Sequence, residues 1–183
     1  MARGRDDGPV QVRPAETADL DDVRRLFRAF VQWHHGRQGT DLDRVLRYFD
    51  ETAWAAELTG LPGAYAPPDG ALLVAELDGA ELDGGVAGCV ALRRVDDRRC
   101  EMKRMYVDDA GRGHGIGRAL GEAIVVAGRE AGYREMYLDT SPKQHEAIGL
   151  YRSLGFTETE PYYDVPAELR DWLVYFKADL TTS

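Results

Sequence analysis

Cysteine, basic charge and long apolar runs are all scarce in this sequence. Its two cysteines, Cys89 and Cys100, lie in strand-like runs without a Cys-x-x-Cys pair, which argues against a disulfide framework or a structural zinc site. We expect reduced, buried thiols and no bound metal. No stretch approaches the roughly 20 apolar residues that a membrane helix needs. The first residues also lack the apolar core of a signal peptide, so we expect a cytoplasmic protein without a membrane partner.

The shortage of basic residues leaves a formal net charge of -9. Binding to a nucleic acid duplex requires a basic face that neutralises phosphates, so the composition argues against nucleic acid as a partner. One stretch departs from the acidic average, because residues 111–118 carry two arginines and a histidine without an acid. An anionic cofactor is therefore expected to bind at this local positive segment.

The chain has 183 residues with 44 % hydrophobic content, which suffices for one core but is short for two domains. We predict a flexible N-terminal arm over residues 1–9 and a single domain over residues 10–180.

Hydrophobic periodicity divides the chain into a helical part and a strand-rich part. A strand at Val10–Arg13 precedes two helices, one capped at Thr17 and one over Asp41–Leu58 with Leu46 on its inner stripe. The later predicted elements are strands at 71–77, 86–95 and 99–107, a helix at 115–131, a strand at 135–140, a helix at about 145–154, and two strands within 157–180.

These elements predict a mixed α/β fold. The strand, helix, strand crossover between residues 99 and 140 predicts one pair of parallel strands. The expected architecture is a central, mostly antiparallel sheet of about seven strands with one parallel strand pair, flanked by four helices.

The segment Arg112-Gly-His-Gly-Ile-Gly117 lies between a predicted strand and a predicted helix. Unpaired N–H groups and the positive end of the helix dipole make such a junction an anion site, and glycine lets a pyrophosphate approach closely. The Gly-x-Gly-x-x-Gly pattern of dinucleotide sites fails, because Ile116 and Arg118 stand where the third glycine is required. A Walker loop also fails, since no lysine follows Gly117. A glycine turn that merely caps the helix is the alternative interpretation.

Two motifs occur in a fixed order along the chain. Arg112-x-x-Gly115-x-Gly117 follows the strand Cys100-Glu-Met-Lys-Arg-Met-Tyr-Val107, and a later helix ends with Leu150-Tyr-Arg-Ser-Leu-Gly-Phe156. This arrangement resembles the GNAT acyltransferase superfamily, and the likeness extends from Val10 to Leu180. It implies an N-acetyltransferase that moves the acetyl group of acetyl-CoA to a primary amine by direct attack in a ternary complex.

The resemblance also implies where acetyl-CoA would bind. The strand before the glycine segment would offer backbone groups to the pantetheine arm, and the pyrophosphate would rest on N–H groups of residues 113–118. Gln144 stands where the family often has an asparagine that contacts the cofactor arm. The implied cofactor-binding residues are Met105, Tyr106, Val107, Arg112, Gly113, His114, Gly115, Ile116, Gly117, Arg118 and Gln144.

Two residues match catalytic positions of the family. Glu101 lies eleven residues before Arg112, where several members have a glutamate base. Its alternative role is an exposed strand carboxylate paired with Lys103. Tyr151 matches the tyrosine that protonates the departing CoA sulfur, and its alternative role is a core aromatic.

The acceptor site is less defined by the sequence. Trp33, His34 and Tyr162 are candidate substrate-binding residues, with core packing as the alternative for the aromatics. The acidic surface favours a small cationic amine. Two other functions stay open, a non-catalytic acyl-CoA-binding or regulatory module and a protein or peptide N-acetyltransferase. The resemblance also leaves homodimerisation open.

Overall fold

The computed structural model describes residues 10–38, 42–77 and 85–181, so the predicted arm at 1–9 and residues 78–84 between two predicted strands lie outside the described residues. Seven strands form one sheet in the order β1-β2-β3-β4-β5-β7-β6. Their bounds are β1 (Val10–Pro14), β2 (Ala71–Leu77), β3 (Val86–Arg94), β4 (Arg99–Val107), β5 (Glu135–Thr140), β6 (Thr157–Thr159) and β7 (Val174–Asp179). Within the described chain only β4 and β5 pair in parallel, which confirms the predicted fold class.

Six α-helices flank this sheet in the described residues, against four predicted. They are α1 (Leu20–Gln38), α2 (Leu42–Tyr48), α3 (Glu51–Thr59), α4 (Ile116–Glu130), α5 (His145–Ser153) and α6 (Ala167–Arg170). None of these helices is long and apolar enough to cross a membrane.

The predicted helix Asp41–Leu58 is divided in the structure. The Asp50 carboxylate accepts the Ala53 N–H at 2.8 Å and caps a new helix, because a side chain that replaces the missing backbone partner favours a helix start. Leu46 is 50 % exposed, so its predicted place on the inner stripe is wrong. Asp41 lies outside the described residues.

The first helix also begins differently from the prediction. Thr17 opens a 3-10 turn over Thr17–Asp19, and Glu16 stands at the N-cap position. The Asp19 carboxylate accepts the Glu16 N–H at 2.7 Å. Asp19, the third residue of the turn, thus pairs with the backbone N–H of Glu16. A cap at Thr17 would leave this donor unpaired.

The sheet is covered on both faces. One core lies between the sheet and α4, and a second lies between the sheet and α1 with α3. Strand β3 is buried from Val86 to Leu92 because it contributes to both cores. Cys100 belongs to the first core and Cys89 to the second, and both are free, buried thiols as predicted. Burial raises the pKa of Cys100 to about 12.

Strands β4 and β5 separate partway along their length. They pair only at Arg99 with Glu135, Cys100 with Met136 and Glu101 with Tyr137. Beyond these pairs β4 continues to Val107 and β5 to Thr140 without a ladder between them. The backbone of the last residues of β4 is therefore free on the side that faces β5.

Candidate active site

A cleft of about 470 Å³ opens where β4 and β5 separate. Its lining falls into two walls that differ in chemistry. The glycine wall consists of Met105, Tyr106, Val107, Gly111, Arg112, Gly113, Gly115, Ile116, Gly117, Gln144, Ala147, Leu150 and Tyr151. The aromatic wall consists of Phe30, Trp33, His34, Val45, Tyr48, Phe49, Trp172 and Leu173. The other lining residues come from β4 and β5 between the walls, from Ser141 after β5 and from Glu146 of α5.

The glycine wall exposes backbone at the start of α4. Gly113 and Gly115 have left-handed φ values of 85° and 79°, which glycine adopts without the penalty of a side chain. A Cβ atom on either residue would meet no atom within 4 Å, so the space beside this backbone is open. Because α4 begins at Ile116, its unpaired N–H groups and its positive dipole end lie in the same loop. This geometry suits a bound phosphate group.

The basic side chains of this segment occupy different places. Arg112 lines the cleft, and its Nη1 lies 2.7 Å from Asp109 Oδ1. Its guanidinium also lies over the rings of Trp33 and Tyr106, at 5.5 and 5.9 Å from their centres. Arg112 therefore contacts a residue of the aromatic wall.

His114 and Arg118 are not among the described residues that line the cleft. Arg118 donates to Ser153 Oγ at 2.9 Å. The two residues thus flank the glycine wall from outside the cleft, and their predicted contact with a cofactor stays a prediction.

Tyr151 faces the cleft from α5. The residue is 8 % exposed, and its ring packs against Phe156 and Phe176 at 6.1 Å between centres. Burial and, to a lesser degree, the charge of Asp139 raise its pKa above the ordinary value of 10. The phenol is therefore protonated at neutral pH and can act as a hydrogen-bond donor.

Gln144 and His34 join the two walls. Gln144 is 4 % exposed, and its Nε2 lies 3.2 Å from His34 Nδ1. Burial, followed by the charges of Arg104 and His35, lowers the pKa of His34 to about 4. His34 is therefore neutral at pH 7 and can accept the amide N–H of Gln144.

Glu101 and Tyr162 are not among the described residues that line the cleft. Glu101 is 1 % exposed and lies at the last paired position of β4, outside the lining of the cleft. Its Oε2 accepts from Arg93 Nε at 2.6 Å, and its Oε1 accepts from Tyr162 Oη at 2.5 Å. Lys103 Nζ is 3.1 Å from the same Oε1. The predicted role of Glu101 as a base and the predicted acceptor contact of Tyr162 stay predictions.

Lys103 and Asp139 are cleft residues that the sequence analysis missed as site residues. Lys103 Nζ lies 2.9 Å from Tyr48 Oη and 3.5 Å from Asp139 Oδ1, and Tyr48 donates to Asp139 at 2.6 Å. Tyr163 donates to the other oxygen of Asp139. Burial alone would raise the pKa of Asp139, but Lys103 and the two tyrosines hold it below its usual range. Asp139 follows the buried part of a parallel strand, and side chains at the carboxyl ends of such strands often line binding sites. Its position in the sequence could therefore have indicated a site residue.

Comparisons with known proteins agree with this geometry. The model of the acetyltransferase (GNAT) family matches residues 29–156. An uncharacterized N-acetyltransferase of Schizosaccharomyces pombe is 36 % identical over 149 residues, which cover 81 % of this chain and 82 % of that protein. A GNAT-family acetyltransferase of Staphylococcus aureus superposes with a TM-score of 0.71 at 18 % identity, over 94 % of this chain and 100 % of that one.

A second solved structure contains a ligand. An acetyltransferase of Salmonella typhimurium with its cofactor acetyl-CoA superposes with a TM-score of 0.61 at 24 % identity, over 95 % of each chain. At these identities the solved structures show a shared fold, whereas the family model and the yeast relative show kinship. The chain belongs to the acetyltransferase (GNAT) family.

Proposed function

We propose that this protein transfers the acetyl group of acetyl-CoA to a primary amine on a small molecule, by direct attack within a ternary complex. The observation that carries the proposal is that two chemically different walls face each other across the cleft at the separation of β4 and β5. Family membership supports acyl transfer as the reaction.

The glycine wall is the proposed site of acetyl-CoA. Its pyrophosphate would lie on the N–H groups from Gly113 to Arg118, where two left-handed glycines leave open space beside the backbone. Arg112 would supply positive charge at this point. The pantetheine arm would run along Met105 to Val107, whose backbone groups β5 no longer pairs. Its thioester would then lie between the strands, beside the aromatic wall.

The reaction needs a neutral amine, since an alkylamine with a pKa near 10 is neutral in only about one molecule in a thousand at pH 7. The nitrogen attacks the carbonyl carbon, the C–N bond forms and the C–S bond breaks. The sulfur takes a proton from its donor, and the proton lost by nitrogen restores that donor. Backbone N–H groups near Met105 or Tyr106 are the proposed donors to the oxyanion. Tyr151 is the proposed donor to the departing sulfur, because its protonated phenol faces the cleft.

Glu101 has a different role in this proposal from the direct base of the sequence analysis. It holds Lys103, and Lys103 in turn contacts Tyr48 and Asp139 in the cleft. Glu101 is thus a positioning residue that acts through the charge of Lys103.

The aromatic wall supports a small acceptor. Its side chains come from α1, from α2 and the residue after it, and from the segment before β7, and such a mostly apolar, aromatic lining is typical of a small-molecule site.

The test is thiol release from acetyl-CoA, with product masses recorded, across a panel of small amines and short peptides. We expect acetylation of small amines in preference to peptides. Acetylation of peptides alone would contradict the small-molecule acceptor. Tight acetyl-CoA binding without transfer to any acceptor would contradict catalysis and favour a binding module.

A further inference from the structure

A β-bulge in β4 changes which side chains face the aromatic wall. Cys89 of β3 pairs with Tyr106, but Ala91 pairs with Lys103, so that Val90 stands opposite two residues, Arg104 and Met105. Arg104 has a φ of 56°, in the left-handed region that non-glycine residues rarely adopt. The bulge therefore interrupts the alternation of the strand at Arg104.

Without the bulge, Arg104 would face the α4 side together with Met102. Met102, Met105 and Val107 belong to the core on that side. Arg104 instead contacts side chains from the opposite side of the sheet, at α3 and the end of α2, and its neighbour Lys103 contacts Tyr48 of α2. Two consecutive cations thus line the cleft from the same face of the sheet. The left-handed backbone conformation is disfavoured about tenfold for a residue with a side chain such as arginine. Backbone strain of this kind is concentrated at functional sites.

The guanidinium of Arg104 is fixed along one edge. Its Nε and Nη2 donate to the two oxygens of Glu57 at 2.8 and 2.6 Å. The rings of Trp54 and Phe49 lie 4.9 and 5.2 Å from its central carbon. The side chain is 11 % exposed and lines the cleft. No hydrogen bond to the remaining nitrogen, Nη1, is found within the described part of the chain, and Nη1 carries two N–H donors.

The charged groups around Arg104 balance one another. The cations Arg93, Lys103 and Arg104 pair with the anions Glu57, Glu101 and Asp139, and all but Arg93, whose side chain is 45 % exposed, are largely buried. A bare alkylammonium would add an uncompensated positive charge to this region. An amine that also carries a carboxylate adds no net charge when it enters as a zwitterion, and therefore costs less to bind beside balanced buried ions.

We propose that the acceptor is an amino acid and that Arg104 binds its carboxylate through the edge that Glu57 leaves open. This inference rests on the proposed function and names its acceptor class. The apolar rings of Phe30, Tyr48 and Trp172 then surround the remainder of the acceptor. The carboxylate is unchanged by the reaction, in which the amine nitrogen exchanges a proton for the acetyl group.

The test compares matched acceptors that differ only in the carboxylate. The pairs are phenylalanine with phenethylamine, methionine with 3-(methylthio)propylamine, and lysine with cadaverine, and phenylalaninamide serves as the neutral analogue of the acid. In each pair that the protein acetylates, we expect kcat/KM to be at least about tenfold higher for the acid than for the amine. A charge-assisted hydrogen bond to arginine provides a difference of this size. Equal or better use of the decarboxylated amines and the amide would overturn the inference and leave the proposed function intact.

Variants locate the effect at Arg104. In Arg104→Gln we expect the acid preference to fall to about twofold or less, with the acceptor KM raised and the acetyl-CoA KM unchanged. Arg104→Lys keeps the charge but loses the forked geometry, so it should retain part of the preference. Glu57→Gln removes the competing carboxylate charge and should lower the KM of the acid. A folded Arg104→Gln variant that keeps the full preference would overturn the role of Arg104.

The comparison of acids with their decarboxylated amines uses the wild-type protein, so it tests the inference even where a variant does not fold. Absence of both acetyl-CoA binding and acetyl transfer would overturn the proposed function itself. Acetyl-CoA binding without transfer to any member of the pairs would overturn the amino-acid inference.

Discussion

The two walls of the cleft are built in different ways. The glycine wall comes mainly from one continuous stretch at the end of β4 and the start of α4, and its proposed binding groups are backbone N–H groups. The aromatic wall comes from α1, α2 and the segment before β7, and its partners lie far apart in the chain. A backbone site can therefore be recognised from a short motif, whereas a side-chain site depends on the complete fold.

The walls also differ in how they treat charge. Arg112 on the glycine wall is 42 % exposed and forms an ion pair with Asp109. Beside the aromatic wall, Lys103 is 9 % exposed and lies near two buried carboxylates. The exposed Arg112 can bind an anion with a small loss of hydration energy. A charged group that enters beside the buried, paired Lys103 must instead bring its own counter-charge.

The largest expected effect concerns the glycine wall. Gly115→Glu forces a side chain onto a left-handed residue and places a negative charge at the start of α4. We expect acetyl-CoA affinity, measured by titration calorimetry, to fall by more than about 100-fold, because the variant opposes the anion site directly.

Gly132→Glu is the matched control for this experiment. Gly132 follows the far end of α4 with a φ of 87° and open space beside it. Both variants should lose about 1 kcal/mol of unfolding free energy, but only Gly115→Glu should lose binding. Equal loss of affinity in the two variants would show that strain, and not the anion site, controls binding.

A smaller effect is expected at Tyr151 on the glycine wall. Tyr151→Phe should lower kcat by about 30-fold with little change in acetyl-CoA affinity, because only the proposed donor to sulfur is removed. The phenol is a weaker acid than a thiol, so the loss should lie below the usual range for a general acid.

Tyr175→Phe makes the same chemical change outside the cleft lining. The Tyr175 hydroxyl is buried without a hydrogen-bond partner in the described chain. Steady-state kinetics of this variant should match the wild type. A Tyr151→Phe variant that loses affinity but retains kcat would instead assign Tyr151 to packing.

Substitution in the charged cluster of Arg93, Glu101 and Lys103, beside the aromatic wall, should change mainly the stability of the fold. Glu101→Gln removes a buried charge from Arg93 and Lys103, and we expect chemical denaturation to show a loss of about 3 kcal/mol. The pKa of Lys103 should fall, since Glu101 is one of two carboxylates that raise it against burial. The rate should fall only a few-fold.

Glu158→Gln breaks an exposed ion pair with Arg152 and should change stability by less than about 1 kcal/mol. A stable Glu101→Gln variant with an abolished rate at pH 7 would return Glu101 to the role of direct base.

The smallest effect is a pH dependence at the contact between the walls. The unfolded chain protonates His34 below its ordinary pKa of 6.5, whereas the folded protein resists protonation until about pH 4. The unfolded state therefore binds more protons in this window, and stability falls as the pH is lowered through it. Between pH 7 and pH 5 we expect a loss of roughly 2 kcal/mol from this residue.

His34→Gln should remove this slope in urea unfolding curves, and the exposed His145→Gln should leave it unchanged. An unaltered slope in His34→Gln would mean that other groups produce the acid sensitivity.

Much of the fold could be predicted because its signals are local. Alternation gave the bounds of β2, β4 and β5, and the crossover rule gave the parallel strand pair. The break at Asp50 was missed, since Phe49 continues the apolar helical period. The break is made by the Asp50 side chain, which caps the start of a new helix. Periodicity detects which residues are apolar but not where one hydrogen bond restarts a helix.

The site divides in the same manner. The sequence placed Gly113, Gly115 and Tyr151 at a site, and the structure brings all three to one cleft. Arg104 could not be found, because the residue that takes the left-handed position in a bulge depends on pairing with β3. The burial of Glu101 beneath the cleft could not be predicted, because spacing along a strand does not reveal where two strands separate.

The most direct test of the account is initial-rate kinetics in which acetyl-CoA and an accepted amine are varied together. If the two walls hold both substrates at once, double-reciprocal plots must intersect. Parallel lines would indicate that the acetyl group first passes to the protein, and would contradict direct attack in a ternary complex.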